Sequence, residues 1–226
     1  MLRHGKLLIV KKTLLFPLAA VSLFLGAACG DANQSAGDDD VVQATACEYP
    51  MGGDPAKPVD LPPTTDVNNA GTSTAILSLT AGDVEITLDR AATPCTVNSF
   101  ESLATQGYFD DTACHRLTDT GIFVLQCGDP TGTGTGGPGY SFADETDDSM
   151  KYPAGTVAMA NAGPDTNGSQ FFLVWADTDL PSGYTVFGTM NQAGLDVVAG
   201  IAAEGVAAED GTSPIAEAQI TSVTLG

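Results

Sequence analysis

At 226 residues the chain has room for one sizeable core plus appendages. Eight Lys and Arg stand against 28 Asp and Glu, a net charge of −20. A surface of that sign repels phosphate backbones and anionic headgroups, which argues against nucleic-acid binding and fits solubility in a salty or extracellular milieu.

Four of the cations (Arg3, Lys6, Lys11, Lys12) fall in the first dozen residues. From position 13 onward, four cationic side chains therefore face all 28 acidic ones, a balance of −24. The early cations precede an apolar stretch from Thr13 to Ala28, which contains Pro17 and ends in small residues. At about 16 residues it is shorter than the roughly 20 of a spanning helix, and its basic start and small-residue end predict an export signal over residues 1–28. Leu25-Gly26-Ala27-Ala28-Cys29 resembles a lipobox, with Gly26 where Leu is usual. The resemblance implies an acylated Cys29 anchoring the protein to the cell membrane. Cleavage after Ala28 without acylation, giving a secreted protein, is the alternative.

Residues 29–72 carry an acidic run (Asp38, Asp39, Asp40) and five prolines at 50, 55, 58, 62 and 63. That composition predicts an extended, solvated tether. Cys47-Glu48-Tyr49-Pro50 is the exception, since a cysteine beside an aromatic points to local docking on the domain that follows.

That domain, expected over residues 73–226, opens with Ala75, Leu77 and Leu79, then Val84, Ile86 and Leu88, each in period-two alternation around Ala81-Gly82-Asp83. The pattern predicts a β-hairpin. Thr93 and Pro94 offer an N-cap and a first helical residue; Val97, Phe100, Leu103 and Ala104 share one face, and Gly107 ends the helix. Strands are expected around 112–117, 122–127, 156–160, 171–174, 185–189 and 218–225, with a second helix over 195–203. About eight strands and two separated helices predict a mainly β fold, a closed eight-stranded antiparallel barrel capped by two α-helices.

Beyond Cys29, four cysteines remain, which in an exported chain permit two disulfides among three connectivities. Cys114 and Cys127 flank the expected turn near Asp119–Gly121, so antiparallel pairing brings them together and leaves Cys47 for Cys95. Four buried free thiols are the alternative. No spacing fits a zinc site, and a single histidine, His115, follows the leader, so no metal is expected.

The chain is organised around Val157–Val174, where two apolar runs flank the loop Asn161-Ala162-Gly163-Pro164-Asp165-Thr166-Asn167-Gly168-Ser169. Upstream lie Cys114-His115-Arg116-Leu117 and Phe123-Val124-Leu125-Gln126-Cys127-Gly128. Together these resemble the cyclophilin family of peptidyl-prolyl isomerases over roughly Thr74 to Leu225. The resemblance implies the same barrel, no cofactor, and proline-containing polypeptides as substrates, for a protein expected to be a monomer. It makes Arg116 the catalytic residue. Arg116 and Gln126 form the expected catalytic pair; His115, Phe123, Val124, Ala160, Asn161, Ala162, Gln170, Phe172, Leu180 and Tyr184 form the expected substrate groove. Three departures stand out. Val124 replaces a usual Met, Tyr184 a usual His, and the Trp often found before Leu180 is missing, with Asp179 there; Trp175 is not its substitute.

From the residues alone, an Arg in an apolar strand needs a partner or a task, and a structural ion pair is the plainer account of Arg116. A hydrolase triad around His115 lacks its nucleophile elbow. The glycine-rich 132–139 loop lacks the Lys-Ser/Thr of a phosphate loop. Asp144, Glu145, Asp147 and Asp148 lack calcium-loop spacing and read as a solvated loop. A peptide-binding module with little turnover is the rival function, and an envelope structural domain has no positive feature behind it.

Overall fold

The computed structural model describes residues 44–147 and 149–226. The expected leader, Cys29, the first part of the tether and Asp148 lie outside them. In chain order the elements are β1 (Ala44–Thr45), β2 (Val67–Asn68), β3 (Thr72–Leu79), β4 (Gly82–Asp89), α1 (Pro94–Thr105), β5 (Thr112–Ala113), β6 (Arg116–Thr118), β7 (Val124–Cys127), β8 (Thr156–Met159), β9 (Phe171–Val174), β10 (Val186–Met190), α2 (Gln192–Ala203) and β11 (Gln219–Leu225). β1 and β2 pair as a small ribbon, and the rest form one sheet in the order β5-β11-β3-β4-β10-β8-β9-β7-β6.

The alternation in the sequence sets the sheet's two faces. Ala75, Leu77 and Leu79 of β3 and Val84, Ile86 and Leu88 of β4 turn inward and are fully or nearly buried. Leu79 pairs with Gly82, so the hairpin turns on Thr80–Ala81, one residue earlier than the sequence implied. α1 follows Thr93 with Pro94 at its first position and lays Val97, Phe100, Leu103 and Ala104 on the core. Phe100 there meets Phe109, Phe171 and Phe187 at 5.2–5.7 Å between ring centroids. α2 begins three residues before the apolar pattern does, because Asn191 accepts a hydrogen bond from the Gly194 N–H and caps it.

Two expectations need correction. The first is the closed eight-stranded barrel: the sheet has nine strands among the described residues and curls into a half-barrel. The stretch 112–117, read as one strand, leaves the sheet at Cys114 and His115. Its first piece, β5, pairs with β11, and its second, β6, pairs with β7. The two ends of the strand order are thus consecutive pieces of one segment, with no ladder between them.

The second correction concerns residues 44–72, which are a strap on the body rather than a solvated tether. Cys47 and Tyr49 are buried, and Cys47 is bonded to Cys95 in the first turn of α1. The Tyr49 hydroxyl donates to the Cys95 carbonyl at 2.7 Å, and its ring lies edge-on to Tyr140 and Phe142. Met51 pairs with Tyr140, the Gly52 N–H donates to Gly139 O and the Ala56 N–H to Gly137 O. Lys57 donates to the carbonyls of Gly107 and Asp110, just past the end of α1. Composition alone pointed to an extended, solvated chain; the local docking expected of Cys47 and Tyr49 extends to the whole strap.

Candidate active site

Strand register builds the site. Arg116 on β6 lies opposite Gln126 on β7, Gln126 opposite Phe172 on β9, and Phe172 opposite Ala158 on β8. Directly opposed residues of antiparallel strands share a face, so these four form one row across the outer face of the half-barrel. The same face collects a second apolar cluster away from the main core: Val124, Tyr152, Ala158, Phe172 and Val174, with Ala160, Leu180, Tyr184 and Val186 packed against it. Both faces of β8 and β9 are therefore buried, which is why their sequences run apolar without alternation.

Arg116 is half-buried, and its guanidinium donates to Gln126 Oε1 at 3.1 Å. It has no carboxylate partner among the described residues, where the one ion pair joins Arg90 to Glu101. The structural ion pair weighed for Arg116 is absent there. Gln126 Nε2 donates to Gln170 Oε1 at 2.7 Å, and Gln170 Nε2 donates to the carbonyls of Gly134 and Gly136 at 3.0 and 2.9 Å. A chain of amides thus ties the Arg to the glycine-rich loop.

That loop is held from below by Asp129, a fully buried carboxylate. Asp129 accepts from the N–H groups of Thr131, Gly134 and Gly136 and from the Thr131 hydroxyl, at 2.7–3.0 Å. Burial raises the Asp129 carboxyl, but these donors together outweigh it and hold it below the ordinary value. The concave array of loop N–H groups already holds this internal carboxylate, so those donors are turned inward to Asp129. Sequence reading missed Asp129; the Asp-Pro-Thr that leads into the loop was its turn signal.

His115 sits beneath the same loop, with both ring nitrogens buried and unpartnered. Burial pushes its pKa down, the Arg116 charge acts in the same direction and Asp129 opposes them. Phe172 packs edge-on to Tyr184 at 5.6 Å. Tyr152, which the sequence did not single out, fixes the Leu180–Tyr184 turn: its hydroxyl donates toward the Pro181 and Tyr184 carbonyls and accepts from the Tyr184 N–H. Phe123 stands apart from the groove cluster, edge-on to Trp175 at 5.1 Å. Trp175 itself packs on the main core and donates to the Thr118 carbonyl.

Asn161 spends its side chain within the protein, donating to Gly183 O of the Leu180–Tyr184 turn at 2.7 Å and accepting from the Gly163 N–H of its own loop. Its backbone N–H and C=O have no partner among the described residues. Ala162, exposed beside it, donates its N–H to the Thr166 hydroxyl. Cys114 and Cys127, adjacent to His115 and Gln126, are joined with Cα atoms 4.0 Å apart. The acidic loop is less free than expected. Glu145 accepts from the N–H groups of Cys95 and Thr96 and from the Thr96 hydroxyl, capping α1, and Asp144 exchanges hydrogen bonds with Asp165.

A curled antiparallel sheet with two helices, bearing an unpaired Arg beside an apolar slot on its outer face, defines a cyclophilin-like domain. Residues 74–225 match the family model described as cyclophilin type peptidyl-prolyl cis-trans isomerase/CLD, and the chain belongs to that family. It is 50% identical over 196 residues to a probable peptidyl-prolyl cis-trans isomerase B of Mycobacterium tuberculosis, a match spanning 79% of this chain and 63% of that protein. A Mycobacterium leprae protein of the same description is 47% identical, over 79% of this chain and 66% of its own length. Among solved structures, a Cryptosporidium parvum cyclophilin type peptidyl-prolyl cis-trans isomerase aligns at 30% identity with a TM-score of 0.61, covering 69% of this chain and 98% of that one. A second structure of that enzyme, determined in the presence of the dipeptide ala-pro, aligns with a TM-score of 0.58 at 30% identity, over 68% of this chain and 98% of that one.

Proposed function

We propose that the chain is a peptidyl-prolyl cis-trans isomerase, with Arg116 acting on the prolyl nitrogen and proline-containing polypeptides as substrates. The task is rotation about an amide whose resonance resists twisting by about 18–20 kcal/mol. No bond is made or broken. As the amide twists, the prolyl nitrogen regains a lone pair and becomes a hydrogen-bond acceptor that the planar ground state lacks. A guanidinium aimed at it binds the transition state more tightly than the substrate. The observation that carries this reading is an Arg with no carboxylate partner among the described residues, held by one amide at the rim of an apolar slot. Val124, Phe172 and Leu180 offer a seat for the proline ring and keep water from the twisting bond. The free backbone of Asn161 suits an extended peptide lying alongside.

The test is isomerisation of proline peptides by the full chain, read by exchange NMR. Acceleration is expected; binding of the peptides without acceleration would replace the enzyme by a binding module.

The place of action belongs to the same proposal: an exported protein, anchored through an acylated Cys29, acting on proteins at the cell envelope. The basic start, the Thr13–Ala28 apolar stretch and the lipobox-like residues support it. A fatty-acid probe should label the wild type and not Cys29→Ser. Native protein recovered unacylated from the medium would reject the anchor.

A further inference from the structure

Beside the amide chain the surface opens into a cavity of about 520 Å³, within the range of small-ligand sites. Gln126, Gln170, Ala160 and Asn161 form one side, so it is continuous with the proposed groove. Its floor is the glycine-rich loop and its far wall is the strap at Gly52, Gly53 and Asp54. That wall lies outside the residues matched by the family model, 74–225.

The wall is built rather than loosely laid on. The strap pairs backbone to backbone with Gly137 and Gly139 and is anchored upstream by Cys47–Cys95. Gly139 has φ +82°, and a Cβ there would come within 3.0 Å of Gly53 O and of Pro55 N, so the two backbones meet only because residue 139 has no side chain. Around the cavity, small side chains, hydroxyls, amides and backbone predominate, and among the described residues Asp54 is the one charged residue lining it. No cation among the described residues pairs with Asp54. Lys57, nearest in sequence, is committed to Gly107 O and Asp110 O.

A substrate chain lying along Asn161 and Gln126 would drop a neighbouring side chain into this space, beside a carboxylate with no cationic partner among the described residues on a strongly acidic body. We propose that Asp54, brought to this cavity by the strap, is a specificity-determining residue that makes it favour a cationic side chain, Lys or Arg, close to the proline. This rests on the isomerase reading.

The test uses the full chain and short proline peptides in which Lys, Gln or Glu is placed in turn at each of two positions on either side of the proline. At one position kcat/KM should favour Lys over Gln about two- to fivefold, the span of a solvent-accessible ion pair, and the preference should shrink with added salt. Asp54→Asn should bring that ratio close to one and Asp54→Lys should reverse it. Asp83→Asn, which removes the same charge from β4, should leave the ratio as in the wild type. No Lys preference at any position, or an unchanged ratio in Asp54→Asn, overturns the proposal. If no peptide is turned over, the isomerase reading fails, and calorimetric titration with the same peptides decides the subsite separately. Tighter binding of the Lys peptide that Asp54→Asn abolishes supports it; equal binding of Lys and Gln peptides overturns it.

Discussion

Arg116→Ala should separate the proposed catalysis from folding in this domain. In the folded protein the guanidinium makes one side-chain hydrogen bond, 3.1 Å to Gln126, and no ion pair among the described residues. Its removal should cost about 1 kcal/mol of stability, the usual net value of such a bond. Its effect on rate should be larger. A hydrogen bond from a charged donor is worth about 1.5–3 kcal/mol, and in the proposed mechanism it forms only as the amide twists. By rate arithmetic that is about a 10- to 150-fold loss in kcat/KM. Gln126→Ala leaves the cation but removes its one side-chain hydrogen bond, so the loss should be smaller. The double variant should be no worse than Arg116→Ala if, as proposed, Gln126 acts through the Arg. Exchange NMR on an Ala-Pro peptide, with urea unfolding in parallel, reads both quantities. A folded Arg116→Ala protein retaining more than half its activity would refute the mechanism.

Burial keeps the His115 imidazole neutral to lower pH than in the unfolded chain, so below about pH 6.5 the unfolded state binds a proton the folded state does not. Stability from this group is therefore intact above that pH and falls as the pH drops, until the folded imidazole also protonates. Urea midpoints between pH 7 and 5 should fall less for His115→Gln than for the wild type, and parallel declines would count against it. In Gly136→Ala the new methyl overlaps Asp129 Oδ1; displacing that buried carboxylate from a loop donor should cost about 1–3 kcal/mol by chemical denaturation, and a neutral outcome would show the loop to be softer than it looks. The Cys47–Cys95 bond closes a separation of 48 residues, so replacing both by Ser should lower stability by about 4 kcal/mol in the chain-entropy model. Non-reducing peptide mapping checks the bond directly, and four alkylatable thiols would remove the basis of that figure.

Local pattern in the sequence was enough to determine most of the longer elements of this protein. The β3–β4 alternation, Thr93-Pro94 before α1 and the apolar runs of β8 and β9 each carry a period or a cap that needs no distant partner. The residues around Arg116, Gln126 and Asn161 marked the expected site through their resemblance to the family, which is likewise written along the chain. What only the tertiary structure decided is what those residues touch. Gln126 and Gln170 are 44 positions apart, and Glu145 caps a helix 49 or more residues away. No composition rule announces either contact. Residues 44–72 read as tether because proline and charge disfavour a core of their own, yet Tyr49 and the strap borrow one from α1 and the Tyr140–Phe142 segment. Likewise one apparent strand became β5 and β6, because a curled sheet makes that segment pair with β11 on one side and β7 on the other. Periodicity reports which residues want burial; the neighbour that buries them is fixed only when distant strands choose their register.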